Sequence, residues 1–192
     1  MSNAQPKEFD VVIAGAGMVG ASLACLLAES SLSIALVDRK PLVQGKDSDS
    51  PKLHSDKFDP RVSAISQASQ QLFRQLGVWE DMNAARVCNY NAMEVWDAEG
   101  TGSIDFSAVE INQPELGSIV ENSIIIAALH KRLAQLENVF PITPFSIESF
   151  EQVEREDGLI VKLNADDGQE IWAPLIIAAD GANSKLRALA NF

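Results

Sequence analysis

The sequence predicts an α/β fold, a parallel sheet with helices accompanied by a partial antiparallel sheet, and three observations carry that expectation. Residues 9–14, FDVVIA, form a short apolar run rich in β-branched side chains, as a strand buried on both faces requires. Glycines follow at once in GAGMVG, and residues 18–30, MVGASLACLLAES, then place apolar side chains at helical spacing. Later segments instead alternate apolar and polar residues between Gly and Asp turns, the pattern of antiparallel strands.

The first helix leads to SIALVD at residues 33–38, a second buried strand ending in Asp38. Strand, helix and parallel strand within about 30 residues make one βαβ unit of Rossmann type. Residues 41–60 turn to Gly, Pro, Ser, Asp and Lys, which predicts a loop of low apolar content. Residues 61–82, RVSAISQASQQLFRQLGVWEDM, resume helical spacing through Ile65, Leu72, Leu76 and Trp79. One helix of about three to four turns is expected there, with Gly77 available as a stop or turn.

Residues 93–107, MEVWDAEGTGSIDFS, read as a hairpin, because Met93, Val95, Ile104 and Phe106 alternate on either side of a Gly-containing turn. Residues 121–136, ENSIIIAALHKRLAQL, read as another helix whose apolar stripe continues through Leu129, Leu133 and Leu136. Beyond Pro144, residues 145–157, 158–168 and 169–181 read as three more strands, the last leading into the ADGANS turn. Asp166 and Asp167 precede Gly168, so a hairpin turn accounts for them without acid–base chemistry.

Composition narrows the function classes. A chain of 192 residues, 46% of them hydrophobic, can bury a sizeable core, so a soluble globular protein is expected. The formal net charge of −12, from 15 basic and 27 acidic side chains, repels phosphate at long range and argues against a nucleic-acid partner. No apolar stretch approaches the roughly 20 residues of a membrane span, and MSNAQPKEFD lacks the apolar region of a secretory signal. A cytoplasmic location is expected. Cys25, Cys88, His54 and His130 show no metal-ligand spacing, so no metal is expected. Cys25, within LACLLA, reads as a buried small hydrophobe.

The strongest chemical signal is the GxGxxG pattern of Gly15, Gly17 and Gly20 between a buried strand and a helix. Gly15 permits the tight turn, Gly17 lets the backbone approach a pyrophosphate, and Gly20 lets helix and strand pack closely. Asp38 ends the second strand, where a carboxylate can accept hydrogen bonds from a ribose diol. The carboxylate argues for an unphosphorylated ribose, although Arg39 beside it leaves a phosphorylated one open. FAD and NAD both satisfy these residues.

The distinction comes from DPRVSAIS at residues 59–66, GSIVENSIIIAAL at residues 117–129 and ADGANSKLR at residues 179–187. Their order and spacing after GAGMVG resemble the class A flavoprotein monooxygenases, most closely the ubiquinone-biosynthesis hydroxylase family. The resemblance implies FAD as cofactor, with Gly15, Gly17, Gly20 and Asp38 at its ADP half. It places Arg61 near the flavin and its phosphates, and it gives Asp180 and Gly181, the DG pair, a part in binding FAD and in recognising NAD(P)H. Arg61 also suits an ordinary helix start, and Asp180–Gly181 a strand-end turn. Arg187 stays outside the site, and Trp79, Trp96 and Trp172 read as core or rim aromatics.

The implied organisation is an FAD-binding domain in two parts, residues 1–90 and 117–192, with 91–116 an inserted hairpin of the substrate region. The implied reaction hydroxylates the ring of a polyprenyl phenol or quinol, with NAD(P)H and O2, by an enzyme that receives its lipid-soluble substrate at the inner membrane surface or from partner proteins. Two departures stand out. Ile126 occupies a position where the family tends to carry a polar side chain, and the family's second FAD motif, a Gly-Asp segment further along, has no counterpart here. The rival readings are a truncated, non-catalytic FAD-binding fragment and another Rossmann flavoprotein oxidoreductase.

Overall fold

A computed structural model describes residues 7–43, 58–156 and 158–192. Most of the expected loop at 41–60 therefore lies outside the described residues. The chain divides into two compact units, residues 1–47 with 129–192, and residues 48–128. The expected boundaries at 90/91 and 116/117 both fall inside the second unit, and the boundary at 128/129 falls within a helix.

The first unit begins with β1 (Lys7–Glu8), β2 (Val11–Ala14), α1 (Met18–Leu27) and β3 (Ile34–Val37). Every residue of β2 and β3 is buried, which explains why both read as unbroken apolar runs. They pair in parallel, Val11 opposite Ile34 through Ala14 opposite Val37, and α1 makes the crossover. The Asn138 amide reaches the carbonyls of Ala28, Ser30 and Leu32, at 3.3, 3.1 and 2.9 Å, and so satisfies acceptors left where α1 runs out.

The second unit carries β4 (Val62–Ser66), α2 (Gln67–Gln75), α3 (Trp79–Ala85), β5 (Val87–Tyr90), β6 (Ala92–Trp96), β7 (Ser103–Ser107) and β8 (Gly117–Glu121). The single helix expected over 61–82 is corrected here into a strand and two helices. Ser66 ends β4 and accepts the Ser69 N–H as the N-cap of α2, while Gly77, at φ +74°, separates α2 from α3. The hairpin is as expected, β6 against β7, with Met93 opposite Phe106 and Val95 opposite Ile104. β8 lies between β4 and β5, antiparallel to both.

The chain continues through α4 (Asn122–Leu133), β9 (Val139–Ile142), β10 (Ile147–Arg155), β11 (Gly158–Ala165), β12 (Glu170–Ala173), β13 (Leu175–Ala178) and α5 (Lys185–Leu189). The run expected as one strand over 169–181 is two, because Pro174 has no N–H for a ladder and the chain changes sheets there. β12 joins β1, β11 and β10, whereas β13 completes the parallel sheet β13-β2-β3-β9. Between these two sheets of the first unit, Val12, Ala14, Ala35 and Val37 pack with Phe145, Leu163, Ala165, Ile171, Ala173 and Leu186. That core fixes the ends of β2, β3 and β13, where the glycines, Asp38 and Asp180 emerge. No helix among the described residues is long and apolar enough to cross a membrane.

Candidate dinucleotide site

The loop from β2 to α1 is built from glycines with different physical demands. Gly15 has φ +106°, a conformation L side chains rarely adopt, and a Cβ there would stand 2.6 Å from the Ala179 carbonyl carbon and 2.9 Å from Asp180 Cα. A Cβ on Gly20 would collide with the Gly15 carbonyl oxygen and come within 3.3 Å of Ala179 Cβ. Gly15 and Gly20 thus answer to the protein's own packing. Gly17 does not: a Cβ there meets nothing within 4 Å. The protein leaves open the space that a side chain at Gly17 would fill.

Gly17 is also the N-cap of α1, and it supplies no side-chain cap. No acidic residue occupies the first turn, and Val19 beside it is 71% exposed. Backbone N–H groups at such a helix start present partial positive charge to whatever anion approaches.

Asp38 follows β3 and turns its carboxylate back on the loop. One oxygen, Oδ2, accepts the Ala16 N–H at 2.8 Å, and Oδ1 accepts the Lys40 N–H at 2.9 Å. Each oxygen has a lone pair to spare, so two hydroxyls of a ribose remain within the carboxylate's accepting capacity. Arg39, next to it, is exposed.

Asp180 arrives from β13, where the Ala179 N–H donates to the Ala14 carbonyl at 2.7 Å. Its Oδ2 accepts the Lys185 N–H at 2.8 Å and the Leu186 N–H at 3.4 Å, at the start of α5. Burial works to raise the Asp180 pKa, but the Ser184 hydroxyl and those backbone N–H groups outweigh it and hold the carboxyl below its usual range. Asp180 Oδ1 is buried and has no hydrogen-bond partner within the protein. An unmatched acceptor in the turn that packs against Gly15 is a group that a ligand hydroxyl or amide could satisfy. The open cradle at Gly17, the uncapped helix and this acceptor fit a dinucleotide. Gly181, at φ +89°, carries the chain past Asp180 into the exposed turn before α5.

The structure therefore brings Gly15, Gly17, Gly20, Asp38, Asp180 and Gly181 to the ends of β2, β3 and β13 in the first unit. Arg61 belongs to the second unit, at the entry to β4, and its side chain is exposed. Its backbone is laced to the segment after β8: the Arg61 N–H donates to Asp59 Oδ1 at 2.9 Å, and the Arg61 carbonyl accepts the Asn122 N–H at 3.0 Å. Buried Glu121 accepts the Asp59 N–H and the Arg86 Nε–H, each at 2.6 Å. Two of the motif segments, residues 59–66 and 117–123, thus form one knot within the second unit.

Sequence reasoning missed His130. It is 6% exposed on α4; its Nδ1 accepts the Val43 N–H at 3.0 Å, and its Nε2 lies 2.7 Å from the Ala16 carbonyl oxygen. Burial lowers its pKa, with the Ala16 carbonyl and the Asp38 charge opposing more weakly. A histidine on the apolar stripe of a helix is the only local hint. Among the described residues no group of three or more His, Cys, Asp or Glu is placed to hold a metal ion.

Residues 8–192 match the family model described as FAD binding domain. The chain is 36% identical to 3-demethoxyubiquinol 3-hydroxylase of Escherichia coli (strain K12), covering 97% of this chain and 44% of that protein. It is 34% identical to the ubiquinone biosynthesis monooxygenase COQ6 of Caenorhabditis elegans, covering 95% of this chain and 40% of that protein. The chain thus spans less than half the length of these relatives. Among solved structures, p-nitrophenol 4-monooxygenase PnpA from Pseudomonas putida superposes with a TM-score of 0.69 at 16% identity, over 96% of this chain and 44% of that one. The P. aeruginosa PqsL mutant gives 0.71 at 16% identity, over 97% and 47%. At such identities the likeness is one of fold.

Proposed function

This chain belongs to the FAD binding domain family, and from that membership we propose that it forms the cofactor-holding part of an FAD-dependent aromatic hydroxylase of ubiquinone biosynthesis. The substrate in this reading is a polyprenyl phenol or quinol, NAD(P)H is the reductant and O2 the source of the inserted oxygen. Bound FAD would supply the redox chemistry. The chain's own residues bind and orient. The start of α1 offers N–H groups and dipole to the pyrophosphate, and Gly17 lets the backbone come close to it. The remaining lone pairs of Asp38 accept ribose hydroxyls. Arg39 and Arg61 offer planar guanidinium groups suited to phosphate. Asp180 and Gly181 would help to hold the cofactor beside the glycine loop and take part in NAD(P)H recognition.

The observation that carries this reading is the uncapped start of α1 with open space at Gly17. The names of the two ubiquinone-pathway relatives support the substrate class. A substrate of that kind is lipid-soluble, so the enzyme would work in the cytoplasm against the inner membrane surface or with partner proteins of the same pathway. The test is oxygen-dependent NAD(P)H oxidation by the FAD-loaded chain with a prenylated phenol, with the product weighed for one added oxygen atom. Flavin held without turnover would instead favour a cofactor-binding piece. NAD(P)H oxidation without oxygen insertion would favour another flavoprotein oxidoreductase.

A further inference from the structure

We propose that His130 is a positioning residue of the dinucleotide loop, which fixes the Ala16–Gly17 peptide so that the Gly17 N–H is presented to the cofactor's phosphates. The inference rests on the reading of this rim as the FAD site. A carbonyl oxygen can only accept, so the 2.7 Å contact with Ala16 places the ring proton on Nε2. The Val43 N–H at 3.0 Å requires a lone pair on Nδ1. Both partners are satisfied together by one species, the neutral Nε2–H tautomer.

Peptide planarity converts that contact into an orientation. The Ala16 carbonyl and the Gly17 N–H belong to one trans unit and point in opposite directions, so holding the oxygen at His130 turns the Gly17 N–H away from the ring. The preceding unit is held in the same manner, since the Ala16 N–H is bound to Asp38 Oδ2 at 2.8 Å and the Gly15 carbonyl faces Gly20. Two successive peptides are thereby set before any ligand arrives, which lowers the ordering cost of binding. Without the imidazole, the Ala16 carbonyl would lose its side-chain donor and the second peptide would be free to turn.

The experiment compares the wild-type chain with His130→Leu and His130→Gln, with circular dichroism verifying the fold of each. Flavin fluorescence quenching measures FAD affinity, amide hydrogen exchange without FAD follows Ala16, and nitrogen NMR of the His54→Gln chain reads the remaining ring's tautomer. The expected results are an Nε2–H tautomer, FAD binding weakened about tenfold or more in His130→Leu, faster exchange at the Ala16 N–H, which Asp38 holds, in that variant, and substantial recovery of both in His130→Gln, whose amide can still donate to Ala16. An Nδ1–H tautomer, or a folded His130→Leu chain with wild-type exchange, overturns the positioning role whether or not FAD binds. A wild-type chain that holds no FAD while exchange responds as expected instead overturns the cofactor reading and the part of the proposal that depends on it.

Discussion

Gly15 and Ala179, far apart in sequence, leave no room for a methyl group between them: a Cβ on Gly15 would sit 2.6 Å from the Ala179 carbonyl carbon. The first glycine of the loop is therefore as much a packing residue for the end of β13 as a turn former. Through it, the segment bearing Asp180 is brought against the start of α1. The two motifs form one wall, and a change at either reaches the other.

The glycines of the motif should separate by experiment. Gly20→Ala would drive its methyl into the Gly15 carbonyl oxygen, a backbone atom with little freedom to move. Overpacking of this kind costs about 1–3 kcal/mol, so the urea midpoint should fall. Gly17→Ala meets nothing within 4 Å, so stability should stay within about 1 kcal/mol of wild type while FAD affinity drops. A Gly20→Ala chain as stable as wild type would show that the loop is less tightly packed than described.

His130 should make stability depend on pH. Below about 6.5, the ordinary imidazole value, the unfolded chain takes up a proton that the folded ring resists, chiefly because the ring is buried. Stability should rise with pH from the folded ring's lowered pKa up to about 6.5 and level off above it. Asp38 acts against the shift by favouring the proton. Chemical denaturation across pH 5 to 8 checks this; the stability difference between wild type and His130→Gln should change with pH below about 6.5, and a constant difference counts against it.

Asp180 should act in the same direction at lower pH. Its folded pKa is held low despite burial, by the Ser184 hydroxyl and the N–H groups of Leu186 and Lys185. Its contribution is present above the unfolded carboxylate value of about 3.9 and is lost as pH falls through the lower folded value. Asp180→Asn should cost about 0.5–1 kcal/mol at neutral pH, as for loss of a charged helix-start acceptor, and should flatten the acid limb. An unchanged acid limb would mean that the carboxylate is not held as described.

The two cysteines should differ in reactivity. Burial pushes the Cys25 thiol up to about 11, against a weaker pull from Arg132, whereas Cys88 is exposed. A thiol reagent at pH 8 should label one cysteine per folded chain, Cys88, and both after denaturation. Rapid labelling of Cys25 in the folded chain would contradict its burial.

The parts of the fold legible in the sequence are those whose partners lie nearby. VVIA and IALV read as buried parallel strands because both faces are covered, and GAGMVG read as a helix entrance because its context sat on either side. VSAIS was hidden by accident of spacing: Ile65 in the strand falls into step with Leu72 and Leu76 beyond the Ser66 cap. The strand GSIVE ran without punctuation into the isoleucines of α4. In the site, the glycines, Asp38, Asp180 and Gly181 were legible as motif positions. His130 was not, because both of its partners are backbone groups on distant segments, and a backbone partner leaves no side-chain signature.

The central claim, that the rim of β2, β3 and β13 holds FAD, is tested most directly by the visible absorption spectrum of the purified chain after FAD is added and free cofactor is removed. Retained flavin in the wild type, lost in both Gly17→Val and Asp38→Ala while each stays folded, is the predicted result. A folded wild-type chain without flavin, or variants that keep it undiminished, would contradict it.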